Sequence, residues 1–212
     1  MSKSNVGRIG VWGASGSGKS SYVKKRIKGQ KRLVVFDPLD EYGPLCKVRA
    51  TSPEQVRIAM RDNWQGFTVR YVPRAGNEPR ELSALCRLLF AAQQPFKDQG
   101  GGMPVTLVVE EMNLSFPVHG GDVKCPGFAN ACSRGRHYGI EIYGLSQRIA
   151  EVSTRFRGNT DETVVLRQKG PRDLKAASHE VGLPESHIAL LQNLDYIHEK
   201  QGKHTKGKLS FK

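Results

Sequence analysis

Long apolar runs are missing from this 212-residue chain. Such apolar runs as Leu33 to Phe36 and Val105 to Val109 are far too short to cross a bilayer, and the first residues hold no apolar stretch of the secretion-signal kind. The chain is therefore expected to be soluble and intracellular, without a signal peptide or transmembrane segment. Cysteine is scarce as well. Cys46, Cys86, Cys125 and Cys132 form no C-x-x-C pair and have no histidine at zinc-finger spacing, so the expectation is free thiols in a reducing compartment. No Pro/Ser-rich linker and no internal repeat divides the chain, which predicts one α/β domain over residues 1–199 and a basic tail over 200–212. Acid is in deficit too. Lys and Arg outnumber Asp and Glu 33 to 20, a net charge of +13 that favours polyanions. No basic amphipathic helix points to anionic lipid, so nucleic acid is the expected polyanion beyond the nucleotide itself.

What the chain does have is Gly13-Ala14-Ser15-Gly16-Ser17-Gly18-Lys19-Ser20, a full match to G-x-x-x-x-G-K-[ST]. It lies between an apolar strand at residues 8–12 and a helical segment at 20–28, the context that a P-loop requires. Backbone N–H groups of such a loop and of the helix start converge into an anion cradle suited to a triphosphate. These residues, with Ser21 next to them, are the expected ATP-binding set. Lys19 would reach the β- and γ-phosphates, and the Ser20 hydroxyl would ligate Mg²⁺.

A second apolar strand at 32–36 runs into Asp37-Pro38-Leu39-Asp40-Glu41-Tyr42. Asp37 and Glu41 stand where a carboxylate could order a metal's water shell or the attacking water; Asp37 as a turn acceptor is the other reading. Ser52-Pro53-Glu54 opens a helix to residue 64, and 67–72 alternates as a strand. Leu82, Leu85, Leu88 and Leu89 recur at helical spacing in 81–94, a core stripe. Val105 to Val109 then delivers Glu110 and Glu111 at the C-terminal end of a buried strand and reads as a Walker B element. In open α/β sheets ligands bind beyond the carboxyl ends of the strands, so both acids should face the P-loop. Glu110, where Asp is usual, would hold Mg²⁺ through its waters, and Glu111 would orient the lytic water.

Pro117, Gly120, Gly121 and Pro126 predict irregular structure over 113–127, either a channel lining with Lys124 on phosphates or a surface insertion. A helix at 128–137 carries Arg134 and Arg136, and a strand at 140–146 ends beside Gln147, an amide placed to sense the γ-phosphate. A helix at 147–157, a strand at 162–167, helices at 172–181 and 184–194 and a strand at 196–198 complete the pattern. An arginine lent to a neighbouring subunit would stabilise charge on the transferring phosphoryl group. Arg134, Arg136, Arg148, Arg155 and Arg157 compete for that task. The end of the chain, with Lys200, Lys203, Lys206, Lys208 and Lys212, is expected to be partly disordered, as a nucleic-acid clamp or as a frayed terminus.

The P-loop, the strand ending Asp37 to Tyr42, the Val-Val-Glu110-Glu111 block and the segment Ser133-Arg134-Gly-Arg136-His-Tyr-Gly139 to Gln147 together resemble the additional-strand P-loop ATPases of the FtsK-HerA superfamily. The resemblance implies an α/β fold with a central, mostly parallel sheet of order 5-1-4-3-2 flanked by helices. It implies Arg136 as the first finger candidate and Arg134 as the second, with Gln147 as sensor. A chain this short looks like the genome-packaging ATPases of membrane-containing double-stranded DNA viruses. That reading implies a homo-oligomeric ring, hexamer or pentamer, acting on double-stranded DNA with capsid vertex or portal proteins and a membrane protein at the vertex. Its place would be the host cytoplasm or the virion's packaging vertex. A Zot-type filamentous-phage assembly ATPase, a small-molecule P-loop kinase and a non-catalytic basic binding module are the rival readings.

Overall fold

The computed structural model describes residues 6–210. Nine strands form its sheet: β1 (Arg8–Trp12), β2 (Leu33–Phe36), β3 (Val48–Ala50), β4 (Thr68–Tyr71), β5 (Val105–Val109), β6 (Ile140–Ser146), β7 (Glu162–Leu166), β8 (Asp195–Lys200) and β9 (Lys203–Lys208). They lie in the order β3-β4-β2-β5-β6-β1-β7-β8-β9. All pairings from β3 to β7 are parallel, and β8 and β9 add antiparallel. Within that order β7-β1-β6-β5-β2 reproduces the expected 5-1-4-3-2 arrangement. The central strands β1, β2, β5 and β7 are buried at every residue, as parallel strands covered on both faces must be.

The helices are α1 (Lys19–Ile27), α2 (Pro53–Asp62), α3 (Glu78–Ala92), α4 (Gln94–Asp98), α5 (Met112–Ser115), α6 (Gly121–Lys124), α7 (Pro126–Arg134), α8 (Thr154–Arg157), α9 (Pro171–Val181) and α10 (Glu185–Ala189). Local chemistry explains their ends. Ser52 Oγ accepts from Gln55 N at the start of α2 with Pro53 in the first turn, and Gly182, at φ 68°, closes α9. The leucine stripe of α3 is core, with Leu82, Leu85 and Leu89 fully buried. Two apolar clusters fill the two sides of the sheet. One gathers Trp12, Phe116, Phe128 and Phe156; the other packs Tyr22, Val23 and Ile27 of α1 onto Ile9, Val11, Val164 and Leu166.

Four stretches differ from the sequence expectation. Residues 113–127 are not wholly irregular: α5 and α6 form there because Phe116 and Cys125 are fully buried and anchor the chain. Residues 147–157 are not one helix. The chain is extended at Val152, which bridges Pro117, and Ser153 then starts α8 by accepting from Arg155 N. The expected basic tail is ordered through Lys208 as the last strand of the sheet, and Leu209 is buried; Lys212 lies outside the described residues. The 184–194 helix stops at Ala189, since Leu194 turns at φ 74° to bond the P-loop. Among the described residues no helix is long and apolar enough to cross a membrane.

Candidate active site

The P-loop is fastened on both sides by the strands that flank β1. Gly13 N donates to Ser146 O (3.3 Å) at the end of β6, and Ala14 N donates to Arg167 O (2.8 Å) just after β7. Gly16 and Gly18 take φ of 70° and 104°, a region that side chains disfavour. A Cβ on Gly13 would stand 2.5 Å from Ser17 Oγ and 2.9 Å from Leu166 Cβ, so the loop closes only around glycine there. Ser17 Oγ is buried without a hydrogen-bond partner, and the start of α1 has no side-chain cap. The first backbone N–H groups of α1, left without a side-chain cap, are the kind of donors that suit a phosphate chain. Lys19 is buried, its Nζ 3.3 Å from Ala14 O. Burial lowers its pKa, and the opposing pull of Glu111, Glu110 and Glu41 does not cancel that.

β5 carries the two acids to the same edge. Glu110 is buried, and the Tyr42 hydroxyl donates to its Oε1 over 2.6 Å. Burial raises the Glu110 pKa; hydrogen bonds from Tyr42 and Ser20 and the charge of Lys19 pull it back in part. Ser20 and Glu110 thus meet where a hydroxyl and a carboxylate are both wanted by Mg²⁺. Among the described residues no cluster of three or more His, Cys, Asp or Glu forms a cage, and Mg²⁺ ordinarily takes one or two carboxylates with substrate phosphates and water. Glu111 sits at φ 42°, uncommon for a non-glycine residue and costing about 1–3 kcal/mol. The turn puts its Oε1 2.6 Å from the donating Nε2 of Gln147.

The structure therefore brings Lys19, Ser20, Glu110, Glu111 and Gln147 together at the C-terminal edge of the sheet. Arg134 and Arg136 are not there. They precede β6, whose seven residues span about 20 Å, so both stand at the opposite edge of the sheet from their own P-loop. Arg136 is 56% exposed with Asp161 3.9 Å away, and Arg134 is exposed. Of the other arginines, Arg157 is committed to Glu180 (2.7 Å), Arg155 to Asp122, and Arg148 to Asp173 and Glu151. Asp37 Oδ2 accepts from Tyr42 N at 2.9 Å, which is turn-acceptor geometry, and Oδ1 is buried without a partner.

Sequence reasoning missed Tyr42 as a support of Glu110. It stands in the stretch singled out there, but a tyrosine in a turn has no spacing that predicts its reach to a residue 68 positions away. Arg167 was missed too: Nη2 donates to Ser15 O (3.2 Å) and Nε to Asn193 Oδ1 (2.5 Å), bracing the loop tip.

A P-loop after β1, the second strand of the β7-β1-β6-β5-β2 core, paired acids after β5 and, at the end of the strand β6 between them, an amide define the fold of additional-strand P-loop NTPases. Solved structures share it. The genome packaging NTPase B204 from Sulfolobus turreted icosahedral virus 2 in complex with AMPPCP superimposes with a TM-score of 0.77 at 16% identity, over 98% of this chain and 99% of that one. VirB4 of Thermoanaerobacter pseudethanolicus gives 0.73 at 11% identity, over 100% and 91%. The pCW3 conjugation coupling protein TcpA, in its monomer form with ATPgS, gives 0.63 at 12% identity, over 96% of this chain and 60% of that one. At these identities the likenesses show the fold, which is the one that the resemblance read from the sequence implies. No family model matches the chain, and no curated protein matches its sequence.

Proposed function

We propose that the protein hydrolyses ATP and uses the energy to move double-stranded DNA, as the motor that packages a viral genome into a preformed capsid. The observation that carries the reading is the split site: Lys19, Ser20, Glu110, Glu111 and Gln147 converge at one edge of the sheet, while Arg136 stands exposed at the other. An arginine so placed serves a nucleotide only if that nucleotide belongs to a neighbour. Copies arranged by that rule repeat head to tail, a contact that forms a ring when its rotation closes, and a hexamer or pentamer is the ring proposed.

In this reading residues Gly13 to Ser21 hold the triphosphate through backbone N–H groups, Lys19 takes the β- and γ-phosphates, and Ser20 with Glu110 holds Mg²⁺ and its waters. The metal supplies charge neutralisation on the phosphate oxygens. Glu111 accepts a hydrogen bond from the attacking water and aligns it with the γ-phosphorus. Gln147, bonded to Glu111, holds the carboxylate in place and senses the γ-phosphate. Arg136 of the neighbour, or Arg134 in its place, stabilises the charge that develops on transfer. Asp37 supports the site through Tyr42. The carboxylate-amide pair favours activation of water over a metabolite kinase, whose acceptor brings its own hydroxyl. The net charge of +13 suits a DNA backbone as partner. Capsid vertex or portal proteins and a membrane protein at the vertex are the further partners, in the host cytoplasm or at the virion's packaging vertex. B204, described as a genome packaging NTPase, has nearly the same extent as this chain.

ATP turnover measured with and without double-stranded DNA, beside a mass measurement of the assembled particle, tests the reading. The expected result is DNA-stimulated hydrolysis by a ring. Phosphorylation of a small acceptor with no response to DNA would replace it with the kinase reading.

A further inference from the structure

We propose that the face formed by α1 and the β8–β9 hairpin is the surface that grips the phosphate backbone of duplex DNA. This rests on the proposed DNA-moving function and says where on the chain that partner lies. Between α1 and the hairpin runs a groove of about 580 Å³, lined by Lys25 and Arg26 on one side and by Tyr196, His198, Thr205 and Lys208 on the other. Tyr22 of α1 meets Tyr196 of β8 edge-on at 5.1 Å between ring centroids, so the two walls are packed as one body. Lys203 pairs with Lys200 and Thr205 with His198 across the hairpin, which places Lys203 at the end of the same face.

The charge of this face is cancelled only in part from within. Glu162 pairs with Lys200 and Arg26 and is bonded to His198, while Glu141, which also lines the groove, accepts from the Thr106 hydroxyl and Glu199 from Gly202 N. Asp195 lies 3.5 Å from Lys208, which stays 67% exposed. Lys25 and Lys203 are exposed and, among the described residues, in no ion pair. The edge that carries α2 contrasts with this, because Arg57 is paired with Glu54, Arg61 with Asp62, and Arg49 and Arg70 with Asp40.

Both walls of the groove also begin at the nucleotide loop. α1 starts at Lys19. Leu194 N donates to Ser17 O (3.0 Å), Leu209 N donates to Leu194 O (2.9 Å), and the side chains of Leu194 and Leu209 stand 3.0 Å from where a Gly18 Cβ would be. A shift of the P-loop therefore reaches both rows of cations at once. Lysines on an exposed edge strand also deter edge-to-edge pairing, and that role alone has no consequence for DNA.

The test is duplex binding by the triple variant Lys25→Ala, Lys203→Ala, Lys208→Ala, followed by fluorescence anisotropy with a labelled duplex of about 30 base pairs across a salt series. A control triple, Arg80→Ala, Arg172→Ala, Lys175→Ala, removes the same charge elsewhere. Each lost phosphate contact lowers the slope of log K on log salt by about 0.9, so the slope is expected to fall by about 2–3 and the affinity by at least about tenfold, with DNA-free ATP turnover and particle mass unchanged. Wild-type protein that binds duplex while the triple variant keeps its slope, or an equal loss in the control triple, overturns this inference and leaves the proposed function standing. Loss of the assembled particle in the triple variant assigns the face to subunit contact and likewise overturns it. Wild-type protein that binds no duplex overturns both.

Discussion

The side-chain amide of Gln147 donates to Glu111 Oε1 over 2.6 Å, joining the C-terminal ends of two neighbouring parallel strands. The bond fixes a carboxylate whose own backbone is held at φ 42°. Removing the carboxylate and removing its support should therefore differ in size. Glu111→Gln is expected to keep ATP binding and to lose about 10²–10⁴-fold in single-turnover hydrolysis, the range of a positioned base. Gln147→Ala loses one hydrogen bond to a charged group, about 1.5–3 kcal/mol, and so about 10–100-fold. Wild-type turnover by Glu111→Gln would remove Glu111 from the proposed role.

Tyr42 should matter to the protein before any nucleotide is added. Its hydroxyl is the 2.6 Å donor to the buried Glu110 carboxylate, and Tyr42→Phe leaves that acceptor short of a partner. Urea denaturation without nucleotide is expected to show a loss of about 1–3 kcal/mol, the usual penalty for orphaning a buried polar group. Nucleotide binding in EDTA should stay at the wild-type level, because Tyr42 touches no part of the P-loop's backbone cradle.

The split of the site between copies predicts complementation. Lys19→Ala and Arg136→Ala should each abolish DNA-stimulated turnover. Mixed in equal amounts, they rebuild roughly a quarter of the interfaces, those in which an intact P-loop meets an intact arginine, as random assembly of a head-to-tail ring requires. Full activity of Arg136→Ala alone passes the finger role to Arg134, the other exposed arginine at that edge.

Stability against acid should depend on Glu162. Burial raises its pKa, but Lys200, His198 and Arg26 outweigh burial and leave it below the ordinary carboxylate value of 4.5. A depressed folded pKa adds stability that is fully present above the unfolded value, so it is present at neutral pH and is lost as pH falls below the ordinary carboxylate range through the folded value. Glu162→Gln is accordingly expected to be less stable than wild type at pH 7 and to lose less than wild type does on going to pH 3. Parallel thermal-melt curves over that range would contradict the assignment.

The P-loop and the two acids were legible because each is written in consecutive residues: a glycine pattern in one case, an apolar run ending in carboxylates in the other. The core strands were legible for the same reason, since a strand buried on both faces reads as an unbroken apolar run. The stretch at 113–127 was not. Prolines and glycines there mark breaks correctly, yet a short helix ends at each of the buried residues Phe116 and Cys125. The basic end misled because alternation of lysine with small polar residues looks like a solvated tail, whereas pairing with β8 makes it a strand.

By itself the sequence determined the nucleotide loop, the acids and the run of strands and helices, all of which depend on side chains within a few positions of one another. Only the tertiary structure decided that Tyr42 holds Glu110, that Arg136 faces away from its own Lys19, and that Leu194 and Leu209 close over Gly18. Those relations follow from strand order and direction, which bring residues far apart in the chain to one edge or separate near ones by the length of a strand. No local preference encodes them, because the energy that selects them is released only when the whole sheet is assembled.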